Sequence, residues 1–227
     1  GCLSENDFRH LQADILDEIE RGALTESSAS TYVRCIKTLF SETWERLELD
    51  ERSNPTRRLR AGTQQAVEFP LFKSEHVRAL LRAAVRPRSA NVPAWVPYRD
   101  QALLATFFDL GWRVGEASRA VMAHVDFHSG SVHIPRENAK GQRRGRVVGL
   151  NTDTGRLLKV WIEKWRPATR DEYLFVSQTG QRFVPNAVQK MFRRLAKAED
   201  IAPEAARVSP HTCRHYFAVQ WARQASR

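Results

Sequence analysis

Phe8, Leu11, Ile15 and Ile19 recur at helical spacing, as do Val33, Ile36, Phe40 and Leu47, with Gly22 and the stretch from Thr25 to Ser30 between the two runs. The spacing predicts two amphipathic helices at the start of the chain. The second carries Arg34 and Lys37 among its polar positions. It decays into Ser53-Asn54-Pro55-Thr56-Arg57-Arg58-Leu59-Arg60-Ala61-Gly62, a basic stretch punctuated by Pro and Gly that reads as a linker. A domain boundary is expected at about residue 65, giving domains over 1–65 and 66–227. Beyond it, Ser74 is placed to cap a helix that buries Val77, Leu80 and Leu81. Leu103, Leu104, Phe107 and Phe108 mark another helix, ending near Gly111. Val132 and Ile134 alternate with Ser131 and His133, and Arg146 to Leu150 offers a second short strand across the polar run from Arg136 to Gly145. That pattern predicts a β-hairpin with a long basic tip. Leu158, Trp161, Ile162 and Trp165 line one face of the next helix, Leu174-Phe175-Val176 suits a short strand or buried turn, and Val188, Met191, Phe192 and Leu195 form a further stripe. Each stripe reads as core packing. The expected fold class is mainly α (α+β): a small all-α domain, then a mostly helical domain with a small antiparallel sheet.

Composition narrows the partners. Among 227 residues, 42% are hydrophobic and 27% charged, enough apolar material to offset chain entropy and exclude disorder. No apolar run approaches the ~20 residues of a spanning helix, and the start, Gly1-Cys2-Leu3-Ser4-Glu5, lacks the basic and apolar regions of a signal peptide. Cys2, Cys35 and Cys213 form no spaced pair, so neither a disulfide framework nor a cysteine zinc site is expected, and a reducing cytoplasm fits. With 36 Lys and Arg against 26 Asp and Glu, the net charge is +10, which draws polyanions and puts nucleic acid first among partners.

Three motifs carry candidate chemistry. Ser209 is placed as the N-cap and Pro210 as the first residue of a helix that continues His211-Thr212-Cys213-Arg214-His215. His211 and Arg214 share a face at its start, where free N–H groups and the helix dipole favour a phosphate. His211 and His215 also stand at the i, i+4 spacing of zinc ligands. Thr212, however, occupies the place of the catalytic Glu in His-Glu-x-x-His and no third ligand is apparent, so no metal is expected. The second motif is Asp109-Leu110-Gly111-Trp112-Arg113-Val114-Gly115-Glu116-Ala117, where a Gly ends an apolar helix and an Arg and a Glu follow three apart. By itself it fits a capped helix with a surface ion pair. The third is the hairpin tip, Asn138-Ala139-Lys140-Gly141-Gln142-Arg143-Arg144-Gly145-Arg146, either a solvated charge run or a clamp on a sugar-phosphate backbone.

Taken in order, these elements resemble the tyrosine recombinase family, also called phage integrases. The family pattern of Gly-x-Arg-x-x-Glu after a helix, Lys in a β-hairpin, then His-x-x-Arg-His at a helix start is similar to Gly111–Glu116, Lys140 and His211–His215. Thr31-Tyr32 with Asn54-Pro55 resemble the end of the family's core-binding domain, Val125-Asp126 follows the first Arg as the pattern has it, and Leu174-Phe175 with Gly180 resemble the segment before the His box. The resemblance implies a core-binding domain followed by a catalytic domain, clamping double-stranded DNA with further protomers in a tetrameric synapse, in the cytoplasm at the nucleoid and away from membranes. It implies strand cutting and rejoining through a 3′-phosphotyrosyl intermediate, with no metal, ATP or other cofactor. The implied catalytic set is Arg113, Lys140, His211 and Arg214, supported by Glu116 and His215; the implied DNA contacts are Arg34, Lys37, Arg57, Arg58, Arg143 and Arg144. In those roles the two Arg forks hold the non-bridging oxygens, Lys140 protonates the departing 5′ oxygen, and His211 hydrogen-bonds the phosphate or assists proton transfer.

The sequence also departs from the family. It ends at Arg227, shortly after the His box, whereas the family places another His or Trp and then the nucleophilic Tyr on later helices, and more helices usually precede the counterpart of Leu3. The expectation is a chain trimmed at both ends and inactive alone, with Tyr216, inside the His box, not the nucleophile. Trp112, Ala117, Ala120 and Cys213 depart from the usual residues and imply a differently packed core. A second reading remains open: a DNA-binding relative that has lost cleavage and acts as a regulator or architectural factor.

Overall fold

The computed structural model describes residues 3–60, 72–136, 145–198, 201–203 and 205–225, the side chain at 224 excepted. The chain divides into two compact units, Gly1–Glu68 and Phe69–Arg227, each with its own apolar core. The boundary expected near residue 65 lies outside the described residues.

The first unit pairs α1 (Glu5–Glu20) with α2 (Glu26–Arg46). Ser4 starts α1 with a reciprocal cap: its hydroxyl accepts from the Asp7 N–H and the Asp7 carboxylate accepts from the Ser4 N–H at 2.7 Å. Thr25 caps α2 by accepting from the Ser28 N–H at 3.2 Å. The apolar faces meet in a cluster of Phe8, Ile15, Ala29, Val33 and Leu59, with Leu11, Ile19, Ile36 and Phe40 packed against it. Two expectations need correction. Leu47 lies past the end of α2 and is exposed, because the helix closes at Arg46 before the stripe can bring it inward. The stretch read as a linker is in part docked: Asn54, Pro55, Thr56 and Leu59 are buried, and Asn54 Oδ1 accepts from both the N–H and the hydroxyl of Thr56 at 3.0 and 2.8 Å. Pro and polar residues here build a turn rather than a flexible tether.

The second unit is arranged around α4 (Val96–Leu110), whose residues are buried almost all round, as a helix must be when it is covered on every side. Around it stand α3 (Ser74–Ala84), α6 (Thr152–Val160) and α8 (Pro210–Ala225). Lys73, one residue before the expected Ser74, is the N-cap of α3. A wide turn over Trp161–Trp165 extends α6 and buries Trp161, whose indole N–H donates to the Leu174 carbonyl at 2.9 Å. The short α5 (Val114–Arg119) leads to an antiparallel sheet of β1 (Val125–Asp126), β2 (Ser131–Ile134) and β3 (Arg146–Gly149), in that order. The register sets Val132 opposite Val148 and Ile134 opposite Arg146. Opposite residues share a face, so Arg146 stands on the side of the buried Val132 and Ile134. The last stripe, Val188, Met191, Phe192 and Leu195, lies buried on α7 (Pro185–Ala196). The fold is that of the expected class, mostly helical with a small antiparallel sheet. No described helix is long and apolar enough to cross a membrane.

One buried ion cluster ties α4 to α7. Asp100, 1% exposed, accepts from Arg99 Nε and Nη2 at 3.0 and 2.7 Å and from Arg194 Nη2 at 2.9 Å, while Arg99 Nη1 reaches the Val176 carbonyl at 2.8 Å. Removing one member of such a buried pair leaves a charge that is neither hydrated nor compensated. Asp100→Ala is therefore expected to cost about 3–5 kcal/mol of stability, checked by urea unfolding; a loss within experimental error would show that Arg99 finds other partners.

Candidate active site

α4 ends at Gly111, whose φ of +56° is left-handed backbone that favours glycine. Space demands glycine as well: a Cβ there would overlap the Phe217 ring of α8, coming within 2.8 Å of Cγ. This close approach lets Arg214, one turn before Phe217, donate from Nη1 to the Gly111 carbonyl at 2.6 Å. The Gly-Trp-Arg turn thus holds both arginines, one by sequence and one by hydrogen bond.

Arg113 is the N-cap of α5, and Glu116 at the third helical position reaches back to accept from it twice: the Arg113 N–H donates to Glu116 Oε2 at 2.9 Å and Arg113 Nη1 to Oε1 at 3.0 Å. Glu116 is 1% exposed and Arg113 38%, so the carboxylate is sunk while the guanidinium reaches the surface. From β3, Arg146 forks onto the same carboxylate, Nη1 to Oε1 at 3.0 Å and Nη2 to Oε2 at 2.7 Å. Burial works to raise the Glu116 carboxyl, but hydrogen bonds from Arg146 and Arg113 overcome it and hold the group below its ordinary range. Arg214 lies within electrostatic reach of Arg113, Arg146 and Glu116; burial and then its cationic neighbours lower its guanidinium from the usual value, which leaves it charged at neutral pH. Three guanidiniums around one carboxylate leave a net positive site suited to an anion.

The start of α8 is built as expected. Ser209 Oγ accepts from the Thr212 N–H at 3.2 Å, and Thr212 Oγ1 accepts from the Ser209 N–H at 2.8 Å. His211 is exposed in the first turn and His215 is half-buried one turn later. Cys213, between them, is fully buried, and burial pushes its thiol well up, so it serves as core. Tyr216 is half-buried, its ring edge-on to Phe108 at 5.4 Å. Trp112, Ala117 and Ala120 are all buried as well, so the positions where the chain departs from the family pattern are core positions.

The structure therefore brings Arg113, Glu116 and Arg214 together and sets His211 and His215 on the helix that carries Arg214. Lys140, Arg143 and Arg144 lie outside the described residues. In the first unit, Arg34 and Arg57 are exposed, Arg58 pairs with Glu5 at 3.1 Å, and Lys37 donates to the carbonyls of Arg57 and Leu59 at 3.4 and 3.3 Å. Among the described residues, no group of three or more His, Cys, Asp or Glu side chains is placed to hold a metal ion. Sequence reasoning missed Arg146 as a site residue. The signal was its phase: it alternates with Val147 and falls in step with Val148 and Ile134, and a charge on the inward phase of a strand needs a buried partner.

What this geometry defines is a mostly helical unit in which three arginines gather around one buried carboxylate, Arg113 and Arg146 bonded to it and Arg214 held by the Gly111 carbonyl. Residues 70–226 match the family model described as the phage integrase family, and the chain belongs to that family, the tyrosine recombinases. Among curated relatives, the tyrosine recombinase XerC of Escherichia coli strain 55989 is 30% identical over 126 residues, which cover 53% of this chain and 39% of XerC. The match thus spans about two-fifths of that relative's length. Among solved structures, the Tn1549 transposon integrase in complex with circular intermediate DNA aligns with a TM-score of 0.70 at 17% identity, covering 99% of this chain and 74% of that one. A lambda integrase tetramer bound to a Holliday junction aligns with a TM-score of 0.64 at 14% identity, covering 98% of this chain and 60% of that one. The likeness to these two structures is one of fold.

The Glu116 cluster generates a pH prediction. Because the folded state lowers the Glu116 pKa, its contribution to stability is present above the ordinary glutamate range and is lost as pH falls through the folded value. Glu116→Gln is expected to be less stable than wild type by about 1–3 kcal/mol at neutral pH, with the gap closing below pH ~4. Denaturant unfolding of both proteins across pH 3–8 checks this; a gap that stays constant or widens on acidification would contradict it.

Proposed function

We propose that the chain carries the phosphate-handling residues of a site-specific DNA recombinase. The single observation that supports this best is the placement of Arg113 and Arg214, 101 residues apart in the sequence, around the buried Glu116. Each is held through Nη1, by Glu116 or by the Gly111 carbonyl, an anchorage that lets the remaining N–H groups of the fork take an anion. A scissile phosphodiester attacked by a hydroxyl gathers charge on its non-bridging oxygens, and two fixed, permanently charged forks stabilise that charge more than they stabilise the ground state. In the proposed reaction a tyrosine hydroxyl attacks phosphorus, the bond to the 5′ oxygen breaks and that oxygen takes a proton. The strand is left joined as a 3′-phosphotyrosine, from which it can be rejoined without ATP. Lys140 is the proposed proton donor, and His211, in the first turn of α8, hydrogen-bonds the phosphate or assists proton transfer. Tyr216 is not proposed as the nucleophile, since its ring packs on Phe108.

The first unit is proposed as the core-binding domain, with Arg34, Lys37, Arg57 and Arg58 toward the DNA backbone; Lys37 also donates to the carbonyls of Arg57 and Leu59. Double-stranded DNA in the nucleoid is the proposed partner, together with further protomers. The lambda integrase tetramer on a Holliday junction supports a synapse of the same kind. The rival reading, a non-cleaving DNA-binding relative, finds less support, because a relative that only binds has little reason to keep Arg113, Lys140, His211 and Arg214 together.

The test uses a suicide DNA substrate and the natural full-length protein. Arg113→Lys and Arg214→Lys are each expected to lower covalent complex by on the order of 100-fold or more while leaving the fold intact, since an ammonium cannot reproduce the fork. Tyr216→Phe should leave it unchanged. Wild-type levels of complex in either arginine variant, or loss of complex in Tyr216→Phe, would overturn these assignments, and a wild-type protein that binds DNA without cleaving would favour the rival reading.

A further inference from the structure

Among the described residues, the Glu116 carboxylate receives four hydrogen bonds, two from Arg113 and two from Arg146. Two carboxylate oxygens offer about four lone-pair sites, so the group is saturated and its plane is locked. Arg146 supplies half of that lock, and it does so in the geometry that fixes orientation best, both nitrogens of one fork on both oxygens of one carboxylate. Stability alone does not explain the arrangement. Arg146 occupies the inward phase of β3, beside Val132, Ile134 and Val148, where aliphatic residues in place of both Arg146 and Glu116 would bury without the cost of desolvating charges.

We propose that Arg146 is a positioning residue for the proposed strand-cleavage reaction: by clamping Glu116 it fixes the direction from which Glu116 holds Arg113, and with it the aim of the Arg113 fork at the phosphate. The inference rests on the reading of Arg113 as a phosphate ligand. Without the Arg146 fork, the Glu116 carboxylate is free to turn and can take both Nη groups of Arg113, or turn toward Arg214 across the same site, and either move withdraws donors from the anion. The groups facing Glu116 are Arg113 from its own helix cap, Arg146 from β3 and Arg214 from α8. Arg146 is the first residue of β3, six positions after Lys140, and pairs with Ile134, so the same fork fastens the loop end of the two strands to the arginine cluster.

Arg146→Lys and Arg146→Gln separate this role from simple support. In single-turnover cleavage by the full-length protein, both are expected to keep DNA affinity within about twofold and to lose cleavage on the order of tenfold or more, with Lys less impaired than Gln. The acid limb of the cleavage pH profile should move up in Arg146→Gln, because Glu116 loses a cation that keeps it ionised, and should move less in Arg146→Lys. A readout independent of catalysis is the 13C NMR titration of the Glu116 carboxyl in the 227-residue chain, where the midpoint should rise in the same order. Wild-type cleavage and an unshifted Glu116 midpoint in the variants would overturn the proposal. If Arg146→Gln does not fold, Arg146→Lys alone decides by the same two readouts. If wild-type protein cleaves no DNA, the functional reading fails, while the NMR titration still decides whether Arg146 governs Glu116.

Discussion

A carboxylate buried to 1% exposure among guanidiniums is the constraint on which the site depends. An ionised Glu116 in an apolar setting is costly unless its oxygens are fully bonded, and here Arg113 and Arg146 fill them. The exchange works in both directions. The arginines keep the carboxylate charged, and the carboxylate lets three like charges share a small volume without driving the elements that carry them apart. What remains is a positive excess held in fixed geometry, which is what a developing phosphate charge needs from a protein.

Everything around the cluster serves its placement. The left-handed Gly111 stops α4 and turns the chain so that Arg113 begins α5. The same glycine, lacking a Cβ, admits Phe217 and so lets α8 approach closely enough for Arg214 to reach the Gly111 carbonyl. The hairpin register puts Arg146 inward. Behind these, α4 is packed on all sides and stapled to α7 through Asp100, a rigid floor for side chains that must be held to within a fraction of an ångström.

Much of this was legible in the sequence. The apolar stripes located the helices because burial of one face is what their periodicity records, and the alternation of Ser131 to Ile134 marked a strand of the hairpin for the same reason. The Gly-x-Arg-x-x-Glu motif alone fits a capped helix with an ion pair, and it was the resemblance of the ordered motifs to the tyrosine recombinases that singled out Arg113 and Arg214. Tertiary partnership was less visible. Asn54 to Leu59 looked like a linker because its composition is that of a turn, and only packing shows that Leu59 enters a core. Nor does the sequence announce that the Lys37 ammonium donates to two carbonyls of the same chain. Arg146 was hidden within a run of basic residues, although it opens the strand in step with Val148.

The central claim is that Arg113 and Arg214 act on the charge of the scissile phosphate. Its most direct test replaces that phosphate by an uncharged methylphosphonate and compares Arg113→Ala and Arg214→Ala with wild type in covalent-complex formation. If the forks exist to balance that charge, each variant should be severely impaired on the normal phosphate and recover most of its deficit on the neutral one. Equal impairment on both substrates would mean that the two arginines serve the fold or general DNA binding, and the account of the site would be wrong.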